Sequence, residues 1–121
     1  MVDGSKTLNP HIQQLVDAGT HRAYKKQAVI LSEGDPGDTF FVLLEGSVRV
    51  YGADAQGREV TYGIIDAPDY FGEMSLDGGP RSASVEAVTP CTCAIVTRER
   101  VRSLLGISPE LALEQIGRAH V

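Results

Sequence analysis

The chain has 121 residues, 42% of them apolar and 22% charged, with a formal net charge of −5. That is the length of one domain with one core, and the composition lies well away from that of disordered chains. Basic residues are scattered apart from Lys25-Lys26 and the Arg98, Arg100, Arg102 group, which excludes the basic footprint of a nucleic-acid binder, and no apolar run reaches the roughly 18 to 20 residues that cross a bilayer.

Residues 1–7 are polar and expected to be loose. A helix is predicted over 8–19: Asn9 caps it, Pro10 opens it, Ile12, Leu15 and Val16 share one face, and Gly19 stops it. From Tyr24 to about Thr97 the texture changes to short β-rich runs, AVIL (28–31), TFFVLL (39–44), SVRVY (47–51), EVTYGII (59–65), ASVEAV (83–88) and CTCAIV (91–96). Glycine and aspartate turns separate them, the pattern of a sandwich or barrel. The segment SEGDPGD (32–38) reads as a tight reversal, Glu45-Gly46 as a two-residue hairpin turn, and Asp54 to Gly57 as a second hairpin loop. In SVRVY, Val48 and Val50 share one face while Ser47, Arg49 and Tyr51 share the other, so one sheet face is predicted to be wet. Cys91 and Cys93 are two apart in one strand, on one face and poorly set to bridge each other; they read as reduced thiols. Beyond Thr97 the period is helical again. Val101, Leu104 and Leu105 form a one-sided turn, Gly106 breaks it, and Ser108-Pro109-Glu110 caps a further helix carrying Leu111, Ala112, Leu113 and Ile116.

One stretch looks chemical, FGEMSLDGGPRSASV, residues 71–85. A helical turn after Gly72 would point free N–H groups at an anion. Arg81 adds a planar, permanently charged fork, and Ser82 a hydroxyl donor beside it. The carboxylate of Glu73 would repel a phosphate, so it suits a sugar hydroxyl at the site's edge, which together suggests a ribose phosphate. From spacing alone, a plain Glu73–Arg81 ion pair accounts for the two residues equally well. Asp77 reads as a turn residue.

At these residues the sequence resembles a known family. FGEMSL followed by GGPRSASV is similar to the phosphate-binding cassette of cyclic nucleotide-binding domains, and EGDPGDTFFVLLEGSVRVY to the hairpin that precedes it. The likeness runs from roughly Gln14 to Ile116 and is strongest to the sensor domain of bacterial catabolite activator protein (CRP/FNR) regulators. It implies a mainly β fold, a double-stranded β-helix or jelly-roll barrel over 24–97, with the cassette at 71–85 and short flanking helices at 8–19 and 98–121. Carried over position by position, the backbone of Gly72 approaches the sugar, Glu73 holds the ribose 2′-hydroxyl, and N–H groups of Met74 and Ser75 cap the cyclic phosphate. Arg81 neutralises that phosphate, with Ser82 and the Ala83 N–H completing its shell, and Val50, Tyr62, Ala83 and Val85 line the base. The expected ligand is cAMP or another cyclic nucleotide, with no further cofactor.

Two departures stand out. Glu73 and Arg81 are eight apart, so the loop is a residue shorter than is common in the family, at glycines that can absorb the change. The helix that caps the base in such regulators, pairs two subunits and leads to a helix-turn-helix has barely begun by Val121. A truncated sensor is therefore expected, 1–121 forming one domain, with DNA bound only through a part not in this chain and a homodimer formed by the full-length protein. A soluble cytoplasmic protein without membrane partner is the expectation. A metal-dependent cupin would need histidines in the barrel, but His11, His21 and His120 lie outside the strands, so no metal site is expected. Ser75, Ser82 and Ser84 have no histidine partner there, so no catalytic residue is expected either. The rival readings are a degenerate module for dimerisation or protein interaction that binds no nucleotide, and the sensor of a channel, kinase or other effector.

Overall fold

The computed structural model describes residues 10–72 and 80–106. Among these residues two helices flank eight strands: α1 (Pro10–Ala18), β1 (Thr20–Tyr24), β2 (Val29–Leu31), β3 (Thr39–Glu45), β4 (Ser47–Ala53), β5 (Glu59–Asp66), β6 (Asp69–Phe71), β7 (Ser84–Ala87), β8 (Cys91–Thr97) and α2 (Arg98–Leu105). The strands form two four-stranded antiparallel sheets, ordered β1-β8-β3-β6 and β2-β7-β4-β5. This is a jelly roll, as the family likeness implied, and it agrees with the sandwich or barrel expected from the strand pattern.

Side-chain alternation explains why some runs are apolar throughout and others are not. On β3, Phe41 and Leu43 point between the sheets, into a core with Leu31, Val48, Val50, Ile65, Phe71, Val85 and Cys93. The alternate residues Phe40 and Val42 face outward, where they pack with Ala94 and Val96 of β8 against Leu15 and Val16 of α1 and Val101 of α2. Both faces of β3 are therefore dry, and its sequence is continuously apolar. Each large side chain so buried contributes roughly 1.5 to 3 kcal/mol. By contrast, among the described residues the helices pack on β8 and on each other and not on β4, whose burial alternates from Ser47 to Gly52 as predicted.

Local devices set the ends. Thr97 caps α2 by accepting from Arg100 N at 3.1 Å, and Gly106, at φ +70°, closes it through an N–H bond to Arg102 O. The β4–β5 hairpin is closed by Asp54, whose Oδ1 accepts from Gln56 N and Arg58 N at 2.9 and 2.8 Å. Both cysteines are buried and unbridged. Asn9 and the helix predicted from Ser108 lie outside the described residues.

The structure corrects one predicted turn. Glu45-Gly46 does not close a hairpin, because β3 and β4 belong to different sheets. β3 runs beside β8 as far as Glu45↔Thr92, and the chain then crosses the sandwich. Gly46 makes the corner at φ +94°, where a side chain would collide with Pro90 O. Two apolar runs around Glu-Gly look alike locally whether the turn joins one sheet or two. β1 and β6 also went unpredicted, and His21, expected outside the strands, lies on β1 opposite Ala94. Four of the five residues of β1 are exposed, leaving no apolar face to read, and β6 has only three residues.

Burial pushes the Cys93 thiol up from 9.0 to about 12. Its neutral form is therefore favoured by folding, and the domain is expected to lose stability as pH rises from the ordinary thiol range toward that value. At pH 8 Ellman's reagent should find neither thiol in the folded protein and both after unfolding; rapid labelling of the folded chain would contradict the buried placement of Cys91 and Cys93.

Candidate functional site

Arg81 precedes β7 and is only 7% exposed. Its backbone is clamped to the 32–38 loop: Arg81 N donates to Asp35 O and Gly34 N donates to Arg81 O, both at 2.9 Å, beside a bridge between Pro36 and Pro80. Its side chain turns inward across the end of the barrel. Nη1 donates to Thr39 O at 3.0 Å and Gly72 O at 3.3 Å, and Nη2 donates to Thr39 Oγ1 at 2.7 Å. The guanidinium lies 5.8 Å from the Phe41 ring, which itself stacks on Phe71 at 5.1 Å. One residue thus joins the start of β3, the end of β6 and the reversal before β3.

The glycines around it follow from that crowding. A side chain on Gly37 would collide with Nε, Cζ and Nη2 of Arg81. Gly72 adopts φ +83°, a conformation glycine accepts readily, and a Cβ there would lie 3.3 Å from both Arg81 Nη1 and Phe41 Cδ1.

Among the described residues, the groups that accept hydrogen bonds from this cation are neutral. Among the described residues Arg81 forms no ion pair, and its bonds go to two carbonyls and a hydroxyl. Those three leave Nε–H and one Nη2 hydrogen without an acceptor among the described residues. Burial pulls the guanidinium below the usual arginine value, with the charge of Asp38 opposing, yet it remains protonated at any physiological pH. A fixed fork of donors with unspent positive charge can receive an oxyanion.

The sequence-predicted residues divide into groups. Gly72 and Arg81 meet at hydrogen-bonding distance. Val50, Ala83 and Val85 share the inter-sheet core, with Val50 directly opposite Val85. Ser82 is exposed beside Arg81. Tyr62 stands apart from that core, 57% exposed, at an irregularity where β4 steps from Val50↔Gly63 to Tyr51↔Thr61. Glu73, Met74 and Ser75 lie outside the described residues. Sequence reasoning missed Thr39 and Gly37, which hold and seat the guanidinium. Gly37 was read only as part of the 32–38 reversal and Thr39 only as the start of an apolar strand, and neither reading points to a guanidinium.

Comparison with known proteins gives the same direction. Residues 21–108 match the family described as cyclic nucleotide-binding domain. The chain is 33% identical over 90 residues to a CRP-like cAMP-activated global transcriptional regulator of Mycobacterium tuberculosis, a match covering 74% of this chain and 40% of the relative. It is 26% identical over 115 residues to the cAMP-activated global transcriptional regulator CRP of Salmonella typhimurium, covering 93% of this chain and 55% of the relative. Among solved structures, Thermus thermophilus catabolite activator protein superposes with a TM-score of 0.75 at 31% identity, over 82% of this chain and 47% of that one. The chain spans about half the length of the curated relatives it matches.

Thr39→Val keeps the shape of the strand but removes the Oγ1 acceptor, leaving a buried donor of a charged group unpaired. Urea denaturation should show a loss of roughly 1.5 to 3 kcal/mol; an unchanged midpoint would mean that this bond does not hold Arg81.

Proposed function

This chain belongs to the cyclic nucleotide-binding domain family, and we propose that it is the ligand-sensing domain of a CRP/FNR-type transcription regulator that binds cAMP. The observation that carries the reading is the buried Arg81 guanidinium, anchored by neutral acceptors and backed by Gly72 and Phe41. A buried charge is expensive to retain for stability alone, since an apolar residue of similar size commonly does as well or better. A cyclic phosphate in front of the fork supplies the missing negative charge. The apolar wall of Val50, Ala83 and Val85 supports a flat base beyond it.

In this reading Glu73 accepts from the ribose 2′-hydroxyl, and Met74, Ser75, Ser82 and the Ala83 N–H complete the phosphate shell. Tyr62 adds an aromatic ring to the base side. The choice of cAMP among cyclic nucleotides is supported by the curated relatives, whose names describe cAMP-activated regulators. Promoter binding and pairing of subunits belong to the proposal for the whole regulator, in which nucleotide shifts the equilibrium between positions of the C-terminal helices. No step requires a covalent change in the ligand, so the domain is proposed to be a non-enzymatic sensor.

Calorimetric titration with cAMP tests the reading. Saturable binding is expected, with Arg81→Ala losing a contact of roughly 1.5 to 3 kcal/mol and Arg81→Lys also weakened because the fork is lost. A melting curve on each variant separates lost binding from lost folding, as Arg81 also braces the barrel. Undiminished affinity in a folded Arg81→Ala protein would remove the phosphate assignment, and absence of heat from the wild type would favour the module that binds no nucleotide. Glu73→Gln should weaken cAMP more than its 2′-deoxy analogue; equal losses would remove the ribose role.

A further inference from the structure

The inner face of β4 carries Val48, Val50 and then Gly52, which has no side chain to offer. Two polar groups from other segments fill that place. A carbon added at Gly52 would lie 2.5 Å from Tyr62 Oη and 3.1 Å from Glu33 Oε1. Glu33 is on the reversal before β3, far from both in sequence. Its carboxylate is nonetheless positioned: Oε1 accepts from Ala53 N at 3.2 Å, while the Glu33 backbone N–H donates to Ser84 Oγ at 2.8 Å. The next residue, Gly34, donates to Arg81 O at 2.9 Å, so the carboxylate and the guanidinium are held by one short backbone segment.

Among the described residues Glu33 Oε2 has no hydrogen-bond donor or cation. The apolar wall of Val50 and Val85 therefore ends in an acceptor-only group with spare capacity, beside the open ring of Tyr62. A flat ring laid along such a wall is favoured when its far edge donates hydrogen bonds, and disfavoured when that edge only accepts. From this juxtaposition we infer that Glu33 is a specificity-determining residue, whose carboxylate accepts a hydrogen bond from the exocyclic amino group of a purine base. The inference rests on the reading of the site as a cyclic nucleotide pocket and adds to it the residue that selects the base.

The test uses cAMP and purine riboside 3′,5′-cyclic monophosphate, which lacks only the 6-amino group, titrated into the wild type and two variants. The wild type should bind the deaminated ligand roughly tenfold more weakly, the scale of one hydrogen bond to a charged group that water also reaches. In Glu33→Ala the two ligands should bind about equally, through weakened cAMP binding. Glu33→Gln retains an acceptor for Ala53 N but turns an N–H donor toward the ligand, and should lose the preference as fully. A wild type that does not discriminate, or a preference that survives in both variants, overturns the role of Glu33 while leaving the nucleotide pocket in place. A wild type that binds neither ligand overturns the pocket and this inference together.

Discussion

The hydrogen bonds of one guanidinium hold together the end of the barrel where the candidate site lies. Arg81 reaches Thr39 at the start of β3 and Gly72 after β6 with its side chain, and residues 34 and 35 with its backbone. Withdrawing an ion from water costs several kcal/mol even after relaxation, and neutral acceptors offset only part of that. The arrangement is therefore intelligible as a compromise. The bonds fix the fork in place before a ligand arrives, and the unspent charge becomes attraction for an anion. Preorganisation of this kind lowers the ordering cost that association would otherwise carry.

Most of the β framework could be read from the sequence because burial leaves a period in it. The alternation of Val48 and Val50 with Arg49 and Tyr51 is the imprint of one dry and one wet face, and the unbroken TFFVLL is the imprint of two dry faces. Arg49 shows how the wet face is organised: it pairs with Glu86 at 2.6 Å and Glu59 at 2.8 Å, across the strands on either side. Such surface pairs, half-buried at Arg49 and Glu86, favour the register more than they stabilise the fold. What failed were features without a local period. β1 is held by its backbone ladder to β8 while four of its five residues are exposed, and the crossing at Gly46 depends on which sheet the next strand joins.

The site was legible in a different way. Arg81 and Gly72 stand out by residue type and by family likeness, and they do meet. The groups that hold or complement them, Thr39, Gly37, Glu33 and Gly52, come from positions tens of residues away; the first three lie in the family-like stretch 33–51, but nothing in that stretch says that they meet Arg81 or Gly52. Their significance is steric. Gly37 is small because a guanidinium lies against it, and Gly52 because a phenol and a carboxylate occupy its side of the sheet. A glycine in a sequence announces a turn or a close approach, but only the folded chain identifies what approaches.

The same bonds give the site a path to the helical face of the barrel. Thr39, which accepts from Arg81, lies directly opposite Thr97, the residue that caps α2. Asp38, one residue earlier, accepts from the first amide of α2, Arg98 N, at 2.7 Å. The anchor of the guanidinium and the start of α2 are thus joined by a single rung of the β3–β8 ladder. α2 rests on the outer apolar cluster through Val101, with Phe40 and Val42 of the same strand beneath it. In the proposed sensor, an anion that draws the fork toward itself would act on Thr39 and Gly72, and a displacement of Thr39 would be taken up by the packed core or by the seat of α2. Close-packed interiors yield little, whereas a two-turn helix lying on the outer face of a sheet can repack. In physical terms, this makes α2 the element best placed to respond to an anion bound at Arg81, as proposed, and differential affinity for its positions the quantity a ligand would have to supply.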